Sequence, residues 1–142
     1  MTIVKLRFAP YMRGDSLTAE INATVRGDIA IHRSAWVKED GTLSVYAKAW
    51  TVSHVPTGDR LESLLPRGMR NNQPTRAPMV EWAEAVQELV PEFWAEARKP
   101  DYAARMLAET ATGEGHQYLP LNKLAHELIA AAQRLNDQRW PS

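Results

Sequence analysis

Apolar and polar residues alternate along four segments in the first half of the chain. The segments cover residues 2–8, 17–25, 29–38 and 42–55. In the second segment every odd-numbered residue is apolar and every even-numbered residue is polar. A period of two residues is typical of a β-strand with one buried face. The pattern therefore predicts four strands in sequence.

The loop Glu39-Asp40-Gly41 predicts a tight hairpin between the third and fourth strands. A three-residue loop that ends in glycine is typical of a type I turn followed by a bulge, in which the glycine is left-handed. The turn sets a register with three facing apolar pairs: Val37 with Leu43, Ala35 with Val45, and Ile31 with Ala49. All six side chains then lie on one face, the predicted inner face of the sheet.

Helical spacing replaces the alternation in the second half. A short helix is predicted over 60–65, and a longer one begins at Pro78. Pro91 begins a further short helix, and the last helix covers about 120–136. Another helix is predicted between Lys99 and Gly113. The longer helix carries an apolar stripe at i, i+3, i+4 spacing: Met79, Trp82, Ala83, Val86, Leu89 and Val90.

Strands followed by helices predict an α+β fold. We expect an N-terminal four-stranded antiparallel meander sheet followed by three to four helices packed on one face. We also expect a single domain over 1–142. Its parts are the sheet in 1–56, the short helix and an Arg-rich loop in 57–78, and the helical half in 79–142.

The outer face of the sheet is the first candidate site. The register places on it a mixture of aromatic, cationic and polar residues: His32, Ser34, Trp36, Tyr46, Lys48, Trp50 and His54. Aromatic side chains between cations are typical of surfaces that stack single-stranded bases, and tryptophan and tyrosine are also enriched at protein interfaces. The alternative is that another part of the chain covers these rings as a second core.

The Arg-rich loop, residues 66–78, is the second candidate site. It contains no acidic residue, and its arginine and asparagine side chains suit a phosphate backbone or an acidic protein surface: Arg67, Arg70, Asn71, Asn72 and Arg76. The alternative is a connection from the sheet to the helices with arginines for solubility. Near the end of the chain, Trp140 is expected to fold back onto the domain.

Catalytic motifs are incomplete. His126-Glu127 resembles the start of a zinc-protease signature, but Ala130 stands where the second histidine would be. Ser53 and His54 are neighbours on one strand, so their side chains point to opposite faces. We therefore expect no catalytic, metal or cofactor site, and a small metal-independent hydrolase remains the least favoured function.

Composition favours a protein partner. Residues 1–76 have a net charge of +4 and residues 77–142 a net charge of −4, so the chain lacks the strong basic excess of a dedicated duplex-DNA binder, although a local basic patch remains compatible with it. The absence of cysteine, of a signal-like segment and of a spanning segment predicts a cytoplasmic protein without membrane contact.

The favoured function is a small non-enzymatic binding or regulatory protein, which acts through the Arg-rich loop and the aromatic sheet face. The alternative is a protein that binds single-stranded DNA or RNA. A homodimer through an exposed edge strand is left open. An accessory role, such as in a mobile genetic element, fits the size, although no residue shows that origin.

Overall fold

The four alternating segments form one antiparallel sheet, and its strands follow one another in chain order. They are β1 (Thr2–Phe8), β2 (Leu17–Arg26), β3 (Ile29–Val37) and β4 (Leu43–His54). The computed structural model describes residues 1–8, 17–58, 60–70, 75–99 and 119–141, and at 63 and 119–122 it describes the backbone alone. The predicted α+β meander is confirmed.

Helices follow the sheet. They are α1 (Ala77–Val86), α2 (Pro91–Ala97) and α3 (Leu119–Arg139). Pro91 occupies the first turn of α2, where its missing N–H costs no hydrogen bond. The helix predicted between Lys99 and Gly113 lies outside the described residues.

The segment between the sheet and α1 contains two single turns of 3-10 helix, Glu62–Leu64 and Arg67–Met69. The helix predicted over 60–65 is therefore only one 3-10 turn long. The second turn lies within the Arg-rich loop, and its Met69 is buried in the core. The first part of this loop is thus anchored by an apolar side chain.

The β3–β4 turn has the predicted geometry. The Lys38 N–H donates to the Thr42 carbonyl at 2.8 Å, the Gly41 N–H donates to the Lys38 carbonyl at 2.9 Å, and Gly41 has a φ of 85°. Glycine adopts this left-handed conformation without the steric cost of a Cβ. Hydrogen bonds from the Thr42 hydroxyl and N–H hold the pKa of the Asp40 carboxyl below its usual value.

The predicted register holds only near this turn. Val37 faces Leu43 and Ala35 faces Val45 as predicted, but Ile31 faces Val52 rather than Ala49. The pairing is irregular between Arg33, which faces Trp50, and Ser34, which faces Tyr46. Residues 47–49 of β4 therefore have no partner in β3. A shift by an odd number of residues exchanges the faces of a strand, so the register prediction beyond Arg33 was wrong.

The helices pack on one side of the sheet. Trp82 of α1, Trp94 of α2 and Leu128 of α3 are buried there. Sheet, 3-10 turns and helices together form this helix-side cluster: Ile29, Ile31, Trp50, Val52, Leu61, Leu65, Met69, Met79, Trp82, Ala83, Val86, Trp94, Leu128 and Ala132. The irregular pairing explains how Trp50 and Val52 come to lie beside Ile29 and Ile31.

A second cluster involves β1. It consists of strand residues whose side chains are fully or nearly buried: Leu6, Phe8, Ala23, Ala30, Ala35 and Val37. Uninterrupted alternation would place Ala35 on the side of Ile31, but it packs in the same cluster as Ala30, so the irregularity also changes the face along β3. The sheet is curled, since a Cβ on Gly58, after β4, would lie 3.1 Å from the backbone nitrogen of Arg7 in β1.

Candidate functional site

The predicted outer face does not exist as one surface. Trp50 and His54 are buried on the helix side, where the His54 ring lies 5.9 Å from the Trp94 ring. His32 is buried in the other direction, against the ring of Phe8. The interrupted register separates these side chains, because it changes which strand residues share a face. Tyr46 and Lys48 remain exposed, and Trp36 is half-buried.

The arginines of the Arg-rich loop also separate. Arg67 and Arg70 lie beside the C-terminal part of α3, whereas Arg76 lies over the Trp50 ring. Asn71 and Asn72 lie outside the described residues. One residue of each predicted site, Arg76 of the loop and Trp50 of the sheet, is therefore brought into direct contact.

Two guanidinium groups flank the Trp50 ring. The Cζ atom of Arg33 lies 4.0 Å from the ring centroid, and that of Arg76 lies 5.4 Å from it. A cation over an indole ring is stabilised by about 0.5–2 kcal/mol, with the higher values for desolvated pairs. Trp50 as a whole is only 8% exposed. Trp50 is thus a fixed platform that orients two positive charges.

These charges face a groove of about 540 Å³, the Trp50 groove. It opens where β2 separates from β3, because the two strands pair only from Ala23–His32 to Arg26–Ile29. Its walls come from β2, from β3 and β4, from the Arg-rich loop and from the N-terminus: Met1, Glu20, Ile21, Asn22, Arg33, Val45, Trp50 and Arg76.

The groove combines unpaired positive charge with exposed apolar surface. Among the described residues, neither Arg33 nor Arg76 forms an ion pair, and Glu20 is the one acidic residue of the described walls. Met1 and Val45 are 73% and 49% exposed. Such a surface suits a ligand that carries both an anionic group and an apolar group.

Arg67 and Arg70 line a second, more polar cleft of about 520 Å³. The Arg70 Nε donates to the Leu65 carbonyl at 2.9 Å, and the carboxylate of Asp137 lies in the same cleft wall. Trp140 also lines it and packs against the helix-side cluster, so this residue folds back as expected. Each of the two sites has two arginines and one carboxylate among its described lining residues, but in this cleft the Arg70 guanidinium group is already engaged by the backbone, which makes the cleft the weaker candidate for an anion.

A serine–histidine pair is buried in the sheet. His32 Nε2 lies 2.8 Å from Ser53 Oγ, and His32 Nδ1 lies 2.7 Å from the Arg33 carbonyl oxygen. Because a carbonyl only accepts, Nδ1 carries the proton, and Nε2 accepts from the Ser53 hydroxyl. Burial lowers the pKa of His32 to about 4, assisted by the charge of Arg60 and opposed by the Arg33 carbonyl.

This pair has the hydrogen bond that activates a nucleophile, but it lacks access. His32 is 0% exposed and Ser53 is 3% exposed. The group that orients the imidazole is a backbone carbonyl rather than a carboxylate. The arrangement satisfies buried polar groups and offers no position for a substrate.

Sequence reasoning missed Arg33, Glu20, Asn22 and Val45 as groove residues. Arg33 carried a usable signal, since it interrupts the apolar series Ile29, Ile31, Ala35 and Val37. A charged residue at an apolar position of a strand is typical of a bulge or a change of face. The β2 residues carried no such signal, because polar side chains are ordinary on a half-exposed strand.

Comparison of the chain with known protein families, with curated proteins and with solved structures found no match. In the described part of the chain, no helix combines the length and apolar character that a membrane crossing requires. The same residues include no group of three or more histidine or acidic side chains that would hold a metal ion. Functional inference therefore depends on the geometry of the Trp50 groove.

Proposed function

We propose that this chain is a non-enzymatic binding protein that recognises another protein through the Trp50 groove. The main support is the position of two guanidinium groups, those of Arg33 and Arg76, over one buried indole ring. Neither group has an ion-pair partner among the described residues. Such preorganisation lowers the entropic cost of ordering the arginines when an acidic group binds.

The surroundings of the groove favour a protein over a nucleic acid. Four large apolar residues are exposed in β1, β4 and the N-terminus: Met1, Ile3, Val45 and Tyr46. Met1 and Val45 line the groove, and Ile3 faces Asn22 across the β1–β2 ladder. Arginine, tyrosine and methionine are enriched at protein interfaces, and Arg33, Tyr46 and Met1 bring these residue types to this surface. Base stacking needs an open aromatic face, whereas Trp50 is 8% exposed and carries Arg33 on its ring.

Of the predicted contact residues, this proposal keeps Arg76, Trp50 and Tyr46 at the interface and adds Arg33. Trp50 contributes by orienting the arginines, because its own ring is nearly covered. Arg67 and Arg70 line the other cleft and are not part of the proposed contact. Substitutions of Arg33 and Arg76 should therefore weaken binding, whereas a substitution of Arg67 should not.

A peptide-display selection on the folded chain tests the proposal. We expect enrichment of peptides that carry acidic and apolar residues. The double variant Arg33→Ala/Arg76→Ala is expected to weaken their binding by at least about tenfold in fluorescence polarisation. The exposed double variant Arg67→Ala/Arg134→Ala removes the same charge outside the groove and is expected to change binding by less than about twofold.

Folding is checked by circular dichroism for both double variants, and Arg76→Glu provides a single exposed change that reverses the charge. Equal losses in the two double variants would show a general charge effect and reject the groove. Enrichment of peptides without acidic residues, or of none, would reject the proposal as well. Competition by a single-stranded oligonucleotide that requires Arg33 and Arg76 would support the nucleic-acid alternative instead.

A further inference from the structure

The wall of the Trp50 groove includes strand edges without a neighbour. β2 pairs with β1 from Leu17 to Ala23, but with β3 only from Ala23 to Arg26. Along 17–22 the side of β2 that faces β3 therefore has no strand partner among the described residues. Backbone N–H and C=O groups on such an edge remain available for pairing with an added strand.

The opposite edge, in β3, is partly occupied. The Ala35 carbonyl already accepts a hydrogen bond from the guanidinium group of Arg60. No described residue makes a comparable contact with the backbone of Glu20, Ile21 or Asn22 on the groove side. The β2 edge is therefore the better template for an incoming strand.

The groove has room for such a strand beside this edge. Glu20, Ile21 and Asn22 all line it, and at the rise of a β-strand they span roughly 10 Å. An added segment of about three to four residues matches that length. Its side chains alternate between the two faces of the sheet, so every second side chain lies on the face that carries Trp50 and its two arginines.

We propose that the partner binds as an extended segment that pairs with the β2 edge at Glu20–Asn22, with an acidic side chain between Arg33 and Arg76. The inference rests on the proposed function and adds the mode of binding and the class of partner sequence. Charge complementarity selects the acidic residue, since in the described part of the chain two guanidinium groups without an ion pair face the groove and Glu20 supplies its one carboxylate. The exposed Met1 and Val45 favour apolar residues next to it.

An extended segment fits this site better than a helix. A helix satisfies its own backbone groups and would leave the β2 edge unpaired. Main-chain pairing supplies affinity with little demand on side chains, and the two arginines then supply the sequence preference. We therefore expect bound peptides to share an alternation of acidic and apolar residues rather than a helical spacing.

Backbone N-methylation of a selected peptide tests the mode of binding with the complete chain. A methyl group on an amide removes a hydrogen-bond donor and blocks strand pairing. We expect methylation at alternate positions to weaken binding by at least about tenfold, and methylation at the intervening positions to weaken it by less than about threefold. The period of two residues is the diagnostic result.

Hydrogen exchange supplies an independent readout. Binding is expected to slow amide exchange within 20–22 by at least about tenfold, while the amides of β3 that pair with β4 change little. If peptides bind through Arg33 and Arg76 but tolerate methylation everywhere, strand addition is rejected and the proposed function stands. If no peptide depends on these arginines, both are rejected.

Discussion

Buried polar side chains in and beside the sheet differ in where their hydrogen-bond partners come from. His32 and Ser53 satisfy each other within the sheet at 2.8 Å, and His54 Nδ1 lies 2.8 Å from the Thr57 hydroxyl. Thr51 Oγ1 is buried without a hydrogen-bond partner among the described residues. Among these groups, His32 affects how stability depends on pH, because burial lowers its pKa and so disfavours its protonated form in the folded chain.

His32 makes the free energy of unfolding depend on pH. Its pKa is about 4 in the folded chain and 6.5 as a free side chain, so the unfolded state binds the proton more readily. The stabilisation is complete above pH 6.5 and is lost as the pH falls towards 4, by up to roughly 3 kcal/mol. Urea unfolding between pH 4 and 8 measures this change.

The variant His32→Gln keeps hydrogen-bonding groups but does not titrate, so we expect its stability to fall less over this pH range. His126→Gln, at an exposed position of α3, is the matched control and should retain the wild-type profile. A direct NMR titration of the His32 ring, in the unmodified chain, should show no protonation above about pH 5. A midpoint near 6.5 would contradict the inferred burial.

At the scale of elements, the side chain of Gln87 joins the end of α1 to the β2–β3 turn by hydrogen bonds. Gln87, directly after α1, accepts a hydrogen bond from the Asp28 N–H at 2.8 Å and donates to the Arg26 carbonyl at 2.7 Å. It also donates to the Ala83 carbonyl within its own helix. The β2–β3 turn and the end of α1 thus share one amide.

Replacement of this amide is expected to loosen the contact. Gln87→Ala removes the acceptor of the part-buried Asp28 N–H and the donor to the exposed Arg26 carbonyl, so we expect a loss of about 1–3 kcal/mol in the free energy of unfolding. Gln133→Ala, at an exposed position of α3, should cost less than about 0.5 kcal/mol. Denaturant unfolding compares the two variants, and equal effects would show that the turn does not depend on Gln87.

At the scale of the whole molecule, β3 joins the two apolar clusters. Ile29 and Ile31 belong to the helix-side cluster, whereas Ala30, Ala35 and Val37 belong to the cluster with β1. Two ion pairs also connect the end of β2 and the turn after it to the helices: Arg26 pairs with Glu84 of α1, and Asp28 pairs with Arg98 directly after α2. Exposed ion pairs contribute little to stability. The unfolding of the two clusters is therefore coupled mainly through β3, the strand that they share.

This arrangement predicts that the chain unfolds as one unit. Leu6→Ala creates a cavity in the cluster with β1 and is expected to cost about 2–4 kcal/mol. Trp50, Trp82 and Trp94 lie in the other cluster, so their fluorescence reports on the helix-side cluster, which does not contain Leu6. We expect fluorescence and far-UV circular dichroism to show the same lowered Tm.

Ile129→Ala is the control for this substitution, because Ile129 is 43% exposed on α3. Its Tm should lie close to that of the unmodified chain. A fluorescence transition that stays in place while the dichroism transition moves to lower temperature would show that the two clusters unfold independently. The chain would then consist of two cooperative folding units rather than one.

The sequence by itself determined the features that depend on neighbouring residues. Alternation predicted the strands, Gly41 predicted the left-handed turn, and Pro91 predicted the start of α2. Each depends on backbone geometry or on local turn chemistry, which a few adjacent residues specify. The candidate site was predicted only in part, through Arg76 and Trp50.

Only the tertiary structure decided the pairing beyond Arg33, and with it the location of the site. The irregularity exchanges the faces of the strands, so Trp50 joins the helix-side cluster and His32 meets Ser53. Small residues such as Ala47 and Ala49 are compatible with either register. The register that forms is the one that buries Trp50 and Val52 against helices far away in the sequence. Its free energy is a sum over many non-local contacts, which no short segment of the sequence contains.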